Sequence, residues 1–477
     1  MSEGRTKIVC TLGPASSGVD MLVRLIGEGM DVARLNFSHG SHDDHLQTIR
    51  NVQEACRRTG RQVALLQDLQ GPKIRVATFS TPAVELRTGA AFTITTAPVE
   101  GNATRVSTTY GNLPNDVKPG DRILLDDGKL RLEVRDVRGD EVHCTVVTGG
   151  TLSAHKGINL PGVAVSTPAF TAKDREDLVF GIQHDIDYVA LSFVRTAGDI
   201  RELRSAIVDL IDKGRFLPII AKIEKPQAVE NIDAIIAEAD GIMVARGDMG
   251  VELPPEEVPV LQKRIIRKCN EAGKPVIVAT QMLESMIGNP APTRAEASDV
   301  ANAVVDGGDA VMLSGETSVG RYPVEAVQIM NRIVCRVEAE DVRAHRMLDL
   351  TAHTVESRLD ALARAACVLA EQMNARAIVA VTHSGRTARA LARYRPRPRI
   401  IALTDRPKIQ RRLNLVWGVN GMVVDELGND SDRDLEMIQE RLVRSGLVAR
   451  GDYVVVLAGQ PFFKRGTTNF IKVEKIE

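Results

Sequence analysis

The stretch IIAKIEKPQAVENI, residues 219–232, begins as a strand that belongs in a core and continues into a lysine and a glutamate that do not. Leu217, Ile219, Ile220 and Ala221 make an apolar run of the kind found in parallel strands covered on both faces. Lys222 and Glu224 follow two residues apart, hence on one face of the strand, at its C-terminal exit. Seven further runs match this one: KIVCTLG from Lys7, DVARLNFS from Asp31, QVALLQDL from Gln62, DYVALSFV from Asp187, GIMVARGD from Gly241, PVIVATQML from Pro275 and AVMLSGET from Ala310. Apart from one gap of more than a hundred residues after the third, the runs recur every 24 to 35 residues, the length of a βα unit. A closed (β/α)8 barrel is the economical reading, with a doubly wound open sheet as the alternative.

The polar exit is not confined to one run. Arg34 and Asn36 end the second, Asp68 the third, Asp248 the sixth, Thr280 the seventh, and Ser314 and Glu316 the eighth. A single such residue reads as a strand end bonded to its neighbouring loop. Six exits together read as a ring of functional groups on a rigid scaffold, since unpaired polar groups there cost several kcal/mol each. Glu224 and Asp248, with Lys222 between them, suit a hard divalent cation that keeps several waters and meets substrate oxygens. Lys222 and Arg34 add fixed positive charge, and the set matches the needs of phosphoryl transfer or of an enolate. The GDMG stretch, residues 247–250, reads as a turn with backbone N–H groups free for an anion. Nucleotide fingerprints are missing: GxxxxGK[ST] does not occur, and Gly27-Glu28-Gly29 lacks the third glycine of a dinucleotide loop.

The long gap changes texture. Thr, Val and Gly dominate residues 71–167, with closely spaced turn signals such as NLPND, KPGD and DDGK and no amphipathic helix, so a small β-barrel lid over the barrel mouth is expected. After about residue 341 the chain starts again as a separate α/β domain: a helix over 355–373, then AIVAVT, a helix from Gly385, RIIALT, a helix from Arg406, and the strands DYVVVLA and TNFIKVEKI. The expected division is barrel over 1–70 and 168–340, lid over 71–167 and C-terminal domain over 341–477.

Composition narrows the class of protein. The 477 residues are 44% apolar and 26% charged with a net charge of −1, which gives no global field for nucleic acid or anionic lipid. Six scattered cysteines without CxxC spacing read as buried thiols in a reducing compartment. The opening MSEGRTKIVCTLGPASS lacks the apolar core of a signal peptide, and no run is long enough to span a bilayer, so a cytoplasmic location is expected.

ARLNFSHG (33–40), QDLQGPKIR (67–75), IIAKIEKP, MVARGDMGVE (243–252), ATQMLESM (279–286) and MLSGET (312–317) resemble the successive signatures of the pyruvate kinase family, over a match running from Lys7 to the C-terminus. The resemblance implies a barrel with an inserted β lid and a regulatory α/β domain. It also implies transfer of phosphate from phosphoenolpyruvate to ADP, giving pyruvate and ATP. Under it, Glu224 and Asp248 are Mg2+ ligands, with Mn2+ as a substitute metal. Lys222 stabilises the transferring phosphoryl group, and Arg34 and Arg75 grip phosphates. Gly247 and Thr280 hold the substrate carboxylate, and Thr280 with Ser314 lies near the proton path. Asn36, His39, Arg75 and Lys156 are expected on the nucleotide side.

The family's monovalent-cation site would use Asn36, Ser38, Asp68 and the Leu69 carbonyl. Many members carry a glutamate where this chain has Lys73, whose ammonium supplies its own positive charge, so no K+ requirement is expected. A second departure is Val319, where many relatives have a lysine. In the C-terminal domain VTHSGRTARALARYRPRP, residues 381–398, reads as strand, Ser/Gly turn and helix, a phosphate cradle built from Thr382, Ser384, Gly385, Arg386 and Thr387. It is expected to take a phosphorylated sugar or nucleotide monophosphate as effector, facing Lys464 and Arg465 of the loop at 459–469; an ordinary helix cap is the alternative. The family is usually a homotetramer. A Mg2+-dependent barrel lyase or aldolase, and a catalytically inactive metabolite sensor, are the rival readings.

Overall fold

The computed structural model describes residues 4–163, 165–212, 216–340, 357–424, 431–459 and 468–477. The eight apolar runs become eight strands: β1 (Lys7–Thr11), β2 (Val32–Asn36), β3 (Ala64–Asp68), β4 (Tyr188–Leu191), β5 (Ile219–Ile223), β6 (Gly241–Ala245), β7 (Val276–Ala279) and β8 (Ala310–Leu313). All pair in parallel with their sequence neighbours, and β8 closes on β1 with Lys7 opposite Ala310. The open-sheet alternative is excluded. Side chains such as Val9, Leu66, Ile220, Met243 and Ile277 fill the barrel interior. The opposite faces of the strands pack against the surrounding helices, which is why the runs are apolar without alternation. Several of those helices start with a reciprocal capping box that satisfies their first N–H groups: Ser41 with Asp44, Thr171 with Asp174, and Thr293 with Glu296.

At the N-terminal floor of the barrel a repeat appears that the sequence reading did not find. Asp31, Asp187, Asp240 and Asp309 stand immediately before β2, β4, β6 and β8. Each carboxylate accepts the N–H of the first or second residue of the preceding odd strand: Ile8 at 2.9 Å, and Leu65, Ile219 and Val276 at 3.0 Å each. The aspartate's own N–H returns to the carbonyl of that same residue at 2.9 to 3.0 Å. These N–H groups lie where the neighbouring strand has not yet begun, so a side chain supplies the missing acceptor.

Between β3 and the helix Ala172–Gln183 the chain forms the inserted β-domain, a six-stranded sheet and a two-stranded ladder around a core of its own that includes Phe92, Ile94, Ile123 and Leu132. Gly71, where this excursion begins, has φ of +68°, and a Cβ there would meet Phe193 Cδ2 at 2.8 Å. Glycine is therefore required twice over, for backbone conformation and for space.

The C-terminal domain is a five-stranded sheet in which Val419–Val423, Arg399–Thr404, Ala377–Val381 and Tyr453–Gly459 are parallel and Thr468–Lys475 is antiparallel at one edge. Its first described helix runs over Arg358–Gln372. Val419–Val423 escaped the sequence reading because VNGMV carries Asn and Gly and is only half-buried at an edge. This domain packs on the barrel floor, and Leu415 reaches the barrel's interior cluster.

Candidate functional site

The strand exits converge at the C-terminal mouth of the barrel. Asp68, 1% exposed, is the hub. Its Oδ2 accepts from Arg34 Nε and Nη2 at 2.7 Å each, and its Oδ1 lies 3.4 Å from Lys222 Nζ. Lys222 Nζ is 2.8 Å from Glu224 Oε1 and donates to Ser192 Oγ at 2.8 Å. Glu224 Oε2 accepts the Phe193 N–H at 2.7 Å, and Arg34 Nη1 donates to Thr11 Oγ1 at 2.8 Å. Residues from the ends of five strands thus form one buried chain of alternating charge. Burial pulls the pKa of Lys222 down, but Asp68, Glu224 and Asp248 outweigh it and hold it above the ordinary lysine value. Burial pushes Asp68 upward, and the charges of Lys222 and Arg34 outweigh it and keep the carboxyl below its usual range.

Glu224 is shifted the other way. Burial raises its pKa and the charge of Asp248 adds to the rise, against the pull of Lys222. Two carboxylates that press on each other in this way, one 1% exposed and the other lining an open cleft, fit a hard dication between them. No group of three or more His, Cys, Asp or Glu side chains is arranged as a metal cage among the described residues. The fit is therefore to an ion that completes its shell with water and ligand oxygens.

The sequence reading of GDMG needs correction. Residues Arg246–Glu252 form a seven-residue helix rather than a turn, and the Gly247 N–H is already taken by Thr280 Oγ1 at 2.6 Å. Thr280 and Gln281 stand in left-handed backbone with φ of +70° and +56°. Arg246 fixes that bend by donating Nη2 to the Thr280 carbonyl at 2.7 Å, while its Nη1 is held by Asp299 at 2.7 Å. Ser314 is at the next exit, with its Oγ buried and, among the described residues, without a hydrogen-bond partner, and its N–H is held by Glu316 Oε2 at 2.7 Å.

The cleft between the inserted domain and the barrel is lined by Lys73, Asp127, Asn159, Phe193, Arg195 and Asp248, among others. Lys73 reaches water in part, yet desolvation within the cleft lowers its pKa, helped by the charge of Arg75. His39 is lowered by desolvation and then by Lys73, Arg75 and Arg34, which places all four within electrostatic reach of one another. Arg75 is tied to the inserted domain through the His155 carbonyl at 2.8 Å. Lys156 remains with that domain, paired to Asp126 at 2.8 Å, and among the described residues makes no ion pair or hydrogen bond with the buried chain of charges.

Three of the four expected monovalent-cation ligands, Asn36, Asp68 and the Leu69 carbonyl, already hold protein partners. Asn36 Oδ1 accepts the Ser38 N–H at 3.2 Å, the Leu69 carbonyl accepts the Ser192 hydroxyl at 2.7 Å, and Asp68 is shared by two cations.

In the C-terminal domain Gly385 has φ of +79° and opens the helix Arg386–Arg393. Its N–H goes to Thr382 Oγ1 at 3.0 Å, Thr387 Oγ1 meets Thr468 Oγ1 at 3.2 Å, and Ser384 and Arg386 are exposed. Lys464 and Arg465 lie outside the described residues. Thr11, Ser192 and Phe193 were missed by sequence reasoning, although Thr11 and Ser192 carry the same signal as the others, a polar residue at a strand exit. Arg246, directly after Ala245 at the exit of β6, carries that signal too and was passed over in favour of Asp248.

A family model described as the pyruvate kinase barrel domain matches residues 3–327, and one for the pyruvate kinase alpha/beta domain matches residues 360–474. The chain is 50% identical over 477 residues to a protein of Geobacillus stearothermophilus named pyruvate kinase, covering 99% of this chain and 80% of that one. It is 48% identical over 472 residues to the pyruvate kinase of Mycobacterium tuberculosis, covering 99% and 98%. A crystal structure of a pyruvate kinase from Cryptosporidium parvum superposes with a TM-score of 0.93 at 38% identity, over 100% of this chain and 96% of that one. No helix among the described residues is long and apolar enough to cross a membrane. Matched by both family models and by relatives at half identity over almost its whole length, the chain belongs to the pyruvate kinase family and is a phosphotransferase of the kinase class.

Proposed function

We propose that the barrel mouth transfers the phosphoryl group of phosphoenolpyruvate to ADP, producing pyruvate and ATP. The observation that carries this reading is the buried chain Arg34–Asp68–Lys222–Glu224. It presents two cations held permanently charged beside a carboxylate pair, with an open cleft in front. Glu224 and Asp248 would hold Mg2+, the metal this family generally needs, or Mn2+ in its place; when bound, the ion neutralises charge on the phosphoryl oxygens. Lys222, kept protonated by its acidic neighbours, binds the migrating group without giving up its proton. Arg34 and Arg75 orient phosphate oxygens. Thr280 and Gly247 orient the carboxylate of the substrate, which requires the Gly247 N–H to turn from Thr280 Oγ1 to the ligand. Thr280 and Ser314, the latter with an unused buried hydroxyl, stand on the proton route to the enolate. His39 and Lys156 contact the nucleotide when the insert of residues 71–167 covers the mouth and excludes water.

K+ is not required in this reading. Lys73 brings an ammonium to the edge of the cleft, and Asp68, already shared by Arg34 and Lys222, has no charge to spare for a third cation. In the C-terminal domain, Thr382, Ser384, Gly385, Arg386 and Thr387 form the effector turn for a phosphorylated metabolite, in a cytoplasmic homotetramer. A coupled assay of pyruvate release tests the central statement. The kinase needs both ADP and a divalent metal; a lyase would proceed without ADP, and a sensor would release nothing.

A further inference from the structure

The barrel floor holds a second concentration of positive charge, far from the mouth. A crevice of about 260 Å3, including its open entrance, lies where the starts of β7 and β8 meet the helix Arg386–Arg393 of the C-terminal domain. Lys274, Arg389, Arg393 and Arg395 line it, with Asp309 as the one carboxylate among the lining residues. Asp309 is already committed to the Val276 N–H at 3.0 Å and to Arg395 at 3.1 Å. Arg393 pairs with Asp360 at 3.1 Å, outside the crevice lining. Lys274 is held by the carbonyl of Ala239 at 2.6 Å, a neutral acceptor.

Two groups keep an unanswered charge or unanswered donors. Among the described residues the Arg389 side chain makes no ion pair and no hydrogen bond. It faces other bases instead, and its charge helps to depress the pKa of Lys274 and of Arg412, for both of which burial is the leading cause. Arg395, laid over the Trp417 ring at 4.8 Å, spends Nη2 on Asp309, Asn270 and the Gly307 carbonyl, while among the described residues its Nε and Nη1 are shut from solvent with no acceptor. Buried guanidinium donors left unpaired, beside uncompensated charge in a confined space, are costly unless an anion is present to accept from them. Arginine forks match the oxygens of a tetrahedral oxyanion in particular. The crevice lies toward the C-terminal end of the helix, where the helix dipole disfavours anions, so side chains rather than backbone amides must supply the attraction. This separates it from the effector turn at the start of the same helix.

We propose that this crevice binds a small phosphate dianion, free or as the end of a monoester, which bridges the barrel floor and the C-terminal domain through Lys274, Arg389 and Arg395. Isothermal titration of the full-length chain with inorganic phosphate, and in a second arm with methyl phosphate, tests it in wild type, Arg389→Gln and Lys274→Gln. Each variant is expected to weaken one class of sites roughly tenfold or more in at least one arm, with KM for phosphoenolpyruvate changed less than about twofold because the mouth is untouched. Identical isotherms for wild type and both variants in both arms would overturn the proposal. Should a variant fail to fold, arginine footprinting of wild type decides: millimolar phosphate is expected to slow phenylglyoxal modification of Arg389 several-fold, and an unchanged rate refutes the site.

Discussion

Both ends of the barrel are rich in buried charge, and the two ends use it differently. At the floor the carboxylates are assigned to backbone: each of four aspartates clamps one residue of the preceding odd strand, and each has a basic neighbour as well. Lys7 serves Asp31 at 3.9 Å, Arg411 serves Asp187 at 3.0 Å, Arg204 serves Asp240 at 3.0 Å and Arg395 serves Asp309 at 3.1 Å. Arg395 and Arg411 come from the C-terminal domain, so this end also fastens one domain to another. At the mouth the charged groups pair with one another rather than with strand backbones, and they border an open cleft. Carboxylate charge at the floor is consumed by structure, with only the basic crevice beside Arg389 left open, whereas at the mouth both signs of charge are held ready for a ligand. This is the division expected of a barrel whose chemistry sits at the C-terminal strand ends.

The sharpest way to break this contrast is a pair of substitutions, one at each end. Lys222→Met is expected to lower kcat by about a thousandfold or more while the far-ultraviolet circular dichroism remains that of wild type. A variant retaining a tenth of the activity would remove Lys222 from the chemistry. Asp187→Ala should do the reverse. It strands the buried Leu65 N–H, leaves Arg411 with Asp185 as its remaining partner, and costs about 2 kcal/mol or more, seen as a lowered melting temperature, with kcat/KM within a few-fold of wild type. Equal losses of activity and stability in both variants would erase the distinction between the two ends.

Lys73→Glu sharpens the reading of the mouth. With tetramethylammonium as the sole monovalent cation the wild-type rate should match that in K+, while the variant should lose activity several-fold and recover it on adding K+. A wild-type rate that collapses without K+ refutes the account of Lys73. The smallest effect concerns the thiols. Burial pushes Cys144 up to about 12, and Cys10, Cys269 and Cys367 are likewise raised by burial, leaving negligible thiolate near neutral pH. Native chain treated with a thiol-selective disulfide reagent should react first at half-buried Cys335; rapid labelling of Cys144 would show that the inserted domain opens readily.

Much of this was legible in the chain. The eight strands could be counted because burial on both faces demands uninterrupted apolar runs, a local requirement. The ring of functional residues was visible for a similar reason, since a run that turns polar only at its end marks the solvent-facing rim. Where local pattern carried less, the reading was incomplete. The strand over Val419–Val423 is half-buried and holds Gly421, so its run looked like a loop. GDMG looked like a turn because of its glycines, and its helical state depends on packing beside the Thr280 bend.

What the amino-acid order determined alone was which residues are buried, which reach the rim, and how many βα units there are, because hydrophobic periodicity is read a few residues at a time. Only the closed tertiary structure decided the pairings. Asp187 finds Leu65 across 122 positions, Lys222 finds Ser192 across 30, and Arg411 finds Asp187 across 224. Such partners are set by strand register and by how domains dock. A hydrogen bond needs its acceptor within about 3 Å, a condition that no stretch of sequence contains.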